Sequence, residues 1–582
     1  MNRFCPLVEA GYHRLSDSKA ILNSNLPESR EPHLKAQRNL CLVGTLLVLI
    51  FLLIFAISGP FEYGCKSPRP ILLVTGLLMV ATVVALLGLK FALQLNNQSR
   101  SLLMLIVGCG ISLRMIGLFT CPILEIDYYR YIWDGKVVST GVSPYRYSPQ
   151  QVLRTAAGNN PSLQKVASLS ASSQSNHTIL DRVHYKEYTS IYPPVSQLVF
   201  AATMKFFPAS ASIKAHIIAI KAALVLFDLL TLGLIYLLLR QLNIHIGWMI
   251  AYAWNPLVIK EISNGGHLDS IATFLVTSSV CLLVQWSRSK GFRSNLSLAG
   301  SAGMALGLGV GAKIFPIVLF PAMFVTIARR QWLQASVFTA MFIVSASLSM
   351  WPMYRTHAKE QANRNHSIAE SHPNEPQQLE SLETGNKEGL TGFLSRWRMN
   401  DVVFSGIYLN LKGLPKTKQT NAPWFVVTSN RFRTELNEYC KAHSIGGSNP
   451  AFFLARITTL SLFATFYLWQ LVAIYRSPKE ISFDRFTMIM IVFLFLQPTV
   501  NPWYWVWVVP LGCLARKSAV LSISGLLLVY YSRFWFKSLS QTYEFGGATY
   551  SGVALFDHGV AWLEFIPIVV LLLTPYWKNP SE

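Results

Sequence analysis

The stretch from Glu125 to Pro149, EIDYYRYIWDGKVVSTGVSPYRYSP, interrupts a long series of apolar segments. It carries the carboxylates Glu125, Asp127 and Asp134, several tyrosines, a tryptophan and three cationic side chains. A connection that only joins two membrane helices does not need so polar and aromatic a composition. The stretch is therefore predicted to be the functional loop around which the remaining segments are arranged.

The chain around this loop is predominantly apolar. Of its 582 residues, 52% are hydrophobic and 13% are charged, whereas soluble domains carry about 25% charged residues. Many apolar runs reach the roughly 17–25 residues that a helix needs to span a bilayer. The sequence therefore predicts an all-α polytopic integral membrane protein, in contact with membrane lipid.

The net charge of +22 has a simple explanation in such a protein, because cationic loops are retained on the cytoplasmic side. The sequence contains no nucleic-acid motif, so no nucleic-acid partner is expected. The eight cysteines form no CxxC pair, so neither a structural zinc site nor a redox pair is indicated.

The distribution of Lys and Arg predicts the topology. If the segment 192–207 spanned the membrane, the cationic loops near 288–293 and 329–330 would face outward, against the usual bias. We therefore predict that 192–207 is an interfacial helix, that about 14 helices span the membrane, one of them at about 246–262, and that both termini are cytoplasmic. The polar loops that hold Asp127, His267–Asp269, Trp397–Asp401 and Trp503–Tyr504 then fall on the outer face.

The predicted organisation has four parts. Residues 354–392 are polar and lack hydrophobic periodicity, a composition typical of disorder. The parts are a cytoplasmic tail, 1–39, for which disorder is considered; a transmembrane core, 40–353, with the outer loop 121–214; a partly disordered outer loop, 354–450; and a C-terminal transmembrane region, 451–582.

Asp127 is followed by tyrosines and Trp133, and two interpretations remain open from composition alone. Amphipathic aromatic residues form belts at the membrane interface, and a carboxylate beside them is then a boundary marker. Alternatively, Asp127 is a general base held at the membrane surface, since a positioned carboxylate can take the proton of an attacking hydroxyl.

The segment 254–270, WNPLVIKEISNGGHLDS, places Lys260, Glu261, His267 and Asp269 between two apolar runs. Ionisable residues at membrane depth are functional candidates, because burying them without partners is costly. Lys260–Glu261 also fits a simple ion pair at a helix end. The glycine pair at 265–266 predicts a tight turn.

A third polar-aromatic segment, QPTVNPWYWVWVVP at 497–510, contains Trp503 and Tyr504. It fits either an interfacial aromatic girdle or a platform for a sugar or lipid. Two isolated charges also stand out. Lys313 could meet a phosphate as a point charge or extend toward the interface, and Asp228 lies in the middle of an apolar run, where it needs a polar partner.

Four of these pieces resemble the GT-C superfamily of polytopic glycosyltransferases. Within it, the chain resembles bacterial enzymes related to polyprenol-phosphate-mannose-dependent α-1,6-mannosyltransferases and, more distantly, the eukaryotic GPI mannosyltransferase catalytic subunits. The pieces are DYYRYIWDGKVVSTGVSPYRYSP (127–149), IYPPVSQLVFA (191–201), NPLVIKEISNGGHLDS (255–270) and NPWYWVWVVPL (501–511). Their order and spacing carry the resemblance from about residue 100 to 515.

The resemblance implies a GT-C fold with a catalytic first outer loop containing interfacial helices. It implies that Asp127 is the catalytic base, that the donor is a polyprenyl-phosphate sugar, and that transfer inverts the anomeric centre. Trp503, Tyr504 and Glu125 are candidate substrate-binding residues. The resemblance implies two further groups of substrate-binding residues. Arg130, Lys260 and His267 are candidates to hold the lipid phosphate, and Asp134, Glu261 and Asp269 to contact the sugar or a metal.

The leading hypothesis is an inverting transferase of mannose or another hexose from a polyprenyl-phosphate carrier to a glycan or lipid acceptor. It would act at the outer face of a bacterial cytoplasmic membrane. No cofactor is certain, and a divalent metal stays open. The alternative is a transporter or flippase of a lipid-linked sugar, motivated by the isolated charges Asp228 and Lys313, although the other ionisable residues concentrate on one face.

Overall fold

The computed structural model describes residues 30–154, 160–208, 210–370, 397–413, 423–447, 449–477, 480–545 and 548–574. Most of the predicted tail 1–39 and the part of the second polar loop at 371–396 lie outside these residues. The described chain is almost entirely helical and rich in apolar helices, which confirms the all-α polytopic membrane class.

Nine helices among the described residues are long and apolar enough to cross a membrane. The predicted number of about 14 stays a prediction, because several expected spans form shorter or irregular helices. The nine candidate spans are His33–Ala56, Ile71–Ala92, Arg100–Phe119, Ile213–Gln241, Asp269–Arg288, Trp332–Ala358, Pro450–Arg476, Ala519–Lys537 and Gly552–Leu573.

The other helical elements lie between these spans, and most of them are shorter or more irregular. The helices of the first polar loop are Tyr128–Ser139, Pro149–Arg154, Pro161–Ala171, Gln174–Asp181 and Pro194–Lys205. The remaining helical elements are Gly59–Phe61, Ile246–Met249, Ile250–Ala253, Pro256–Val258, Ile259–Asn264, Phe292–Ala312, Phe315–Leu319, Phe320–Ala328, Val402–Leu411, Asn430–Ala442, Phe483–Phe495, Pro502–Trp507 and Val509–Leu514. Two strands, Thr542–Phe545 and Ala548–Ser551, form an antiparallel hairpin that the sequence did not predict, with Thr542 opposite Ser551.

The segment 246–268, here called the buried segment, lies at the centre of the helix bundle. It was predicted to contain a continuous span at 246–262, but the helix breaks at Asn255–Pro256. The Asn255 side chain accepts hydrogen bonds from the backbone N–H groups of Leu257 and Val258 and so starts a new turn. Every residue from Met249 to Thr273 is buried. Irregular backbone in a membrane protein is tolerated where it is buried in protein or lines a cavity.

The helix Pro194–Lys205, here called the closing helix, corresponds to the predicted interfacial helix at 192–207. Its 12 residues reach about 18 Å at 1.5 Å per residue, which is too short to span a bilayer core of about 30 Å. It packs closely against Tyr128–Ser139, here called the loop helix. A Cβ atom on Gly135 would lie 2.6 Å from the carbonyl oxygen of Phe200, so this crossing requires glycine.

A glycine-lined face brings two long helices together beside the closing helix. A Cβ atom on Gly303 would lie 2.1 Å from the carbonyl oxygen of Phe338, so the helices Phe292–Ala312 and Trp332–Glu370 pack nearly backbone to backbone. Small residues permit such close approach in membrane bundles. The second of these helices continues to Glu370, where the sequence predicted disorder from 354 onward. Its Ala, Lys, Glu and Gln residues are good helix formers, which explains the difference.

Candidate functional site

Four predicted site residues form one compact group, here called the charged cluster: Glu125, Lys260, Glu261 and His267. The Lys260 ammonium lies 3.3 Å from a carboxylate oxygen of Glu125 and 3.3 Å from one of Glu261. His267 Nε2 lies 3.4 Å from an oxygen of each of the same two carboxylates. Lys260 and Glu261 therefore form an ion pair, but Glu125 and His267 extend it to a four-membered group.

Glu125 reaches the charged cluster because the turn before it is held rigidly. The Lys221 ammonium donates to the carbonyl oxygens of Gly117, Leu118 and Thr120, at 2.7–3.1 Å. These carbonyls end the helix Arg100–Phe119 and lack partners within it. The buried Lys221 side chain thereby fixes the direction in which the chain leaves that helix.

Asn264 fastens the next residues of the same turn. Its side chain donates to the carbonyl oxygens of Thr120 and Cys121 and accepts from the backbone N–H of Ile123. Leu124 then adopts φ 58°, a conformation uncommon for a non-glycine residue and found where surrounding structure imposes it. The result is that Glu125 points into the charged cluster.

The buried segment presents its own charged residues through a π-helical turn, Ile259–Asn264. Such single turns are frequent at functional sites. The chain then reverses at Gly265–Gly266, where Gly266 has φ 69° and His267 donates its backbone N–H to the carbonyl oxygen of Glu261 at 3.0 Å. The predicted tight turn at the glycine pair is confirmed, and it returns His267 toward Glu261.

Asp127 begins the loop helix but does not cap it, since its side chain makes no hydrogen bond to the first-turn N–H groups. Its Oδ2 accepts a 3.2 Å hydrogen bond from the hydroxyl of Tyr192. Burial, and then the negative charge of Glu125, raise the pKa of the Asp127 carboxyl above its usual range, against the opposing effects of His267 and Tyr192. A partly exposed carboxylate with a raised pKa is a stronger base than a free aspartate.

Glu125 behaves differently from Asp127, although only Ile126 separates them. Burial raises the pKa of the Glu125 carboxyl, but the adjacent Lys260 and His267 outweigh it and hold that pKa below its usual range. Two carboxyl groups whose environments move their pKa values apart are suited to different roles. Glu125 therefore favours its charged form more strongly than Asp127 does.

Asp269 lies in a second group with Lys313, Tyr504 and Trp507, here called the aspartate–lysine corner. One carboxylate oxygen of Asp269 accepts from the Lys313 ammonium at 2.7 Å and from the Trp507 indole at 2.6 Å. Trp507 stacks on Tyr504 with ring centroids 4.6 Å apart. The predicted aromatic segment 497–510 therefore packs around the buried charge of Asp269, which a simple interfacial girdle does not explain.

Trp503 connects the corner to the charged cluster. Its ring stacks on that of His267 with centroids 4.4 Å apart and an interplanar angle of 13°, and it meets Tyr504 edge to face at 5.8 Å. Trp503, Tyr504, His267 and Asp269 thus lie close together.

Arg130 and Asp134 take positions in the packing of the first polar loop. The Arg130 guanidinium donates to the carbonyl oxygens of Tyr185 and Tyr188 and approaches Asp134 at 4.0 Å. Asp134 accepts from Ser190 at 2.5 Å and from Gln197 at 3.1 Å, which ties the loop helix to the closing helix. Both side chains are buried and engaged in holding the loop.

A divalent metal has a potential ligand set in the charged cluster. Atoms of Glu125, Glu261 and His267 lie within 4.8 Å of one another, and all three residues are buried. Two carboxylates and an imidazole suit several divalent ions. However, the Lys260 ammonium already contacts both carboxylates and supplies the positive charge they need. A metal would have to bind beside this ammonium against its repulsion, so the set does not fit a resident metal.

A piece of the second polar loop crosses near the site. Met399 pairs in parallel with Thr499, just before the NPWYW motif, and Trp397 packs on Tyr185 with ring centroids 4.6 Å apart. Tyr185 has φ 52°, and its carbonyl is one of those held by Arg130. The second loop thus contacts both the aromatic segment and the first loop.

Sequence reasoning missed Tyr192, Trp507 and Tyr531 as site residues. The Tyr531 hydroxyl donates to Glu261 at 2.7 Å, and the Lys260 ammonium lies 3.6 Å from the centre of its ring. Tyr192 and Trp507 lie within the motifs quoted above. The hydroxyl or indole N–H group of an aromatic residue inside such a motif was therefore a usable signal. Tyr531 has no such signal, because it lies in an apolar run far along the chain.

Residues 190–377, about a third of the chain, match the family model described as Glycosyltransferase family 87. The matched region includes the closing helix, the buried segment and Lys313, whereas Glu125 and Asp127 precede it. Searches among curated proteins and among solved structures found no match. The family match indicates a membrane glycosyltransferase of the GT-C type.

Proposed function

We propose that this protein is an inverting glycosyltransferase that moves mannose or another hexose from a polyprenyl-phosphate carrier to a glycan or lipid acceptor. It would act at the outer face of a bacterial cytoplasmic membrane. The family match supports the transferase class. The observation that carries the proposal furthest is the environment of Asp127, an uncapped carboxylate with a raised pKa beside the charged cluster.

Asp127 acts in this proposal as the general base. As an acceptor hydroxyl attacks the anomeric carbon, its proton passes to the Asp127 carboxylate. The bond between the anomeric carbon and the phosphate oxygen breaks, and the polyprenyl phosphate leaves with the electron pair. Attack on the side opposite the leaving group inverts the anomeric centre. A carboxylate poised in this way contributes typically 10²–10⁴-fold to rate.

The charged cluster has a supporting role next to this step. Lys260 is a cationic side chain and His267 lies beside it, and fixed positive charge near a departing phosphate stabilises the transition state. Glu125 and Glu261 keep those two groups in place. Trp503, Tyr504 and Asp269 are proposed to line the sugar side of the site, and Arg130 and Asp134 to hold the first loop in position.

The transporter or flippase alternative has less support from the same contacts. It was motivated by Asp228 and Lys313. Arg114 donates to Asp228 at 2.5 Å, and the Tyr252 hydroxyl donates to it at 2.6 Å, so Asp228 is a fully buried structural charge with two partners. Lys313 is paired with Asp269 beside the proposed reaction centre. Neither charge marks a separate path across the bundle.

The test is transfer by the purified protein from a panel of radiolabelled polyprenyl-phosphate sugars to acceptors in a membrane extract. Wild-type protein should transfer at least one sugar, and Asp127→Asn should abolish transfer while the protein remains inserted and folded. Transfer from nucleotide sugars alone would contradict the donor, and full activity of Asp127→Asn would contradict the base.

Asp181→Asn is the matched control for that substitution. Asp181 also lies in the first polar loop, but it is exposed and pairs only with Lys186 among the described contacts. Its substitution should leave transfer unchanged, which separates loss of the base from a general effect of removing loop charge.

A further inference from the structure

Lys313 differs from the other lysine of the site in its accessibility. Its side chain is 21% exposed, compared with 1% for Lys260. Lys260 lies between two carboxylates, whereas Lys313 is contacted by a single carboxylate oxygen, that of Asp269. An ammonium has three N–H donors, so Lys313 retains donors for a ligand on its open side.

Asp269 holds this ammonium from the buried side. Its carboxylate is almost fully buried and also accepts from the Trp507 indole, while its second oxygen, Oδ2, is buried without a hydrogen-bond partner. The Lys313 ammonium further lies 4.7 Å from the Tyr504 ring centre and 5.4 Å from that of Trp507. The cation is therefore fixed in direction by a carboxylate behind it and two aromatic rings beside it.

The backbone places Lys313 at a break between two apolar helices. The helix Phe292–Ala312 ends just before it, Lys313 itself is extended, and a short 3-10 turn starts at Phe315. The neighbouring side chains Ile314 and Ile317 are 40% and 48% exposed. An accessible cation thus adjoins an accessible apolar surface, in a part of the molecule made of membrane-type helices.

We infer that Lys313 binds the phosphate of a lipid phosphate, with the hydrocarbon chain of that lipid lying on the apolar surface at Ile314 and Ile317. The ligand class is a phosphate monoester or diester of a long-chain alcohol. The inference rests on the proposed function and revises its phosphate site: Arg130 and Lys260 are buried and donate to protein oxygens, whereas Lys313 presents the accessible charge. A lysine acts here as a compact point charge.

The test measures binding without turnover. Full-length protein in detergent is titrated with farnesyl phosphate, and binding is followed by the fluorescence of the tryptophans. Lys313→Met should weaken farnesyl phosphate binding by about 10- to 100-fold, the range of a lost charge-assisted hydrogen bond. Lys290→Met, which removes an exposed lysine elsewhere, should bind like wild type. Equal binding by Lys313→Met and wild type would overturn the inference.

Two further ligands identify the source of the phosphate. Farnesol should bind weakly and be indifferent to Lys313→Met, since it lacks the phosphate. Inorganic phosphate should bind weakly as well, since it lacks the chain. Binding of inorganic phosphate as tight as that of farnesyl phosphate would overturn the lipid part of the inference.

A double substitution separates phosphate binding from simple neutralisation of Asp269. Lys313→Met leaves the Asp269 charge buried without its partner, which is strongly destabilising in general. Combining it with Asp269→Asn removes both charges. If Lys313 binds phosphate, the double variant remains about 10- to 100-fold weaker toward farnesyl phosphate than Asp269→Asn alone. Equal affinities of those two variants would assign Lys313 to ion pairing only.

The binding assay keeps this inference distinct from the proposed reaction. If Lys313 governs farnesyl phosphate binding but the wild-type protein transfers no sugar from any polyprenyl phosphate, the phosphate site is supported and glycosyl transfer fails. If wild-type protein transfers sugar and Lys313→Met keeps both its donor KM and its binding constant, the reaction stands and the phosphate site is overturned.

Discussion

The hydroxyl of Tyr192 donates a 3.2 Å hydrogen bond to Oδ2 of Asp127. Tyr192 lies two residues before the closing helix, and Asp127 lies immediately before the loop helix. The contact therefore joins the two ends of the first polar loop at the carboxylate proposed as the base. It also makes the proton affinity of that carboxylate depend on the position of the closing helix.

Removing this hydrogen bond should shift the pH dependence of transfer. Burial and the negative charge of Glu125 raise the pKa of Asp127, whereas His267, the Tyr192 hydrogen bond and His184 lower it. The Tyr192 hydroxyl lowers this pKa because it stabilises the charged form of Asp127. In Tyr192→Phe the Asp127 pKa should rise further. Because the base acts when deprotonated, loss of activity on acidification should begin at a higher pH than in wild type.

The measurement is kcat/KM against pH for wild type and Tyr192→Phe, with Tyr188→Phe as a control in the same loop. An acid limb at the same pH in wild type and Tyr192→Phe would show that Asp127 does not control the titration.

Chelation should leave transfer essentially unchanged. The Lys260 ammonium lies 3.3 Å from both Glu125 and Glu261 and supplies the positive charge that a metal would otherwise provide. We expect enzyme treated with excess EDTA and assayed in metal-free buffer to keep its full rate. A loss of rate that Mn²⁺ or Mg²⁺ restores would mean that the charged cluster, or another site, takes up a metal despite this lysine.

Lys221→Met should lower turnover, although Lys221 acts by positioning the turn and not by contacting the substrate. The substitution removes the donor for three carbonyl oxygens at 117–120, so the turn that directs Glu125 and Asp127 loses its anchor. Misplacement of reacting groups by about 1 Å can cost on the order of 10²-fold in rate. We expect kcat to fall by about 10- to 100-fold, with little change in donor KM.

Lys214→Met is the control for Lys221→Met, because Lys214 lies on the same helix but is largely exposed and pairs with Glu62. Thermal unfolding in detergent should be recorded for both variants. A rise in KM at unchanged kcat in Lys221→Met would contradict a positioning role.

Gly135→Ala should disrupt the packing of the loop helix on the closing helix. The added Cβ would lie 2.6 Å from the carbonyl oxygen of Phe200 and 2.7 Å from its carbonyl carbon. Backbone atoms cannot yield as a side chain can, and overpacking typically costs about 1–3 kcal/mol. We expect a lower unfolding temperature and a marked loss of transfer, measured on the same preparation.

Gly233→Ala provides the comparison, since nothing lies within 4 Å of a Cβ added there. It should unfold and react like wild type. Equal behaviour of the two alanine variants would mean that the helix crossing at Gly135 is looser than the structure has it.

Much of the architecture could be predicted from local sequence properties. Apolar length and composition indicate membrane helices, because the transfer of a helix into a bilayer depends on its own residues. The same reasoning correctly identified a short helix near 192–207 and a tight turn at Gly265–Gly266. It predicted one continuous helix at 246–262, and the break at Pro256 was overlooked because the apolar pattern runs through it.

The residues of the candidate site were largely visible in the sequence, but their partners were not. Glu125, Lys260 and His267 stood out as charges between apolar runs. Their assembly into one cluster requires the Lys221 anchor and the π-helical turn, which no sequence pattern indicated. Lys313 stood out in the sequence as an isolated cation. Only the tertiary structure shows that it pairs with Asp269 and lies beside the rings of Tyr504 and Trp507.

The sequence by itself therefore determined the class of the protein, an all-α membrane protein with polar-aromatic loops, and the short list of residues able to do chemistry. The tertiary structure decided which charges neutralise one another and which remain accessible. Tyr531 and Glu125 come together across 406 residues, and Lys313 meets Asp269 at a helix break. Such pairings depend on how closely the helices pack, at Gly135 and Gly303 for example. Close packing requires complementary surfaces on two helices, so it cannot be determined from the sequence of either segment alone.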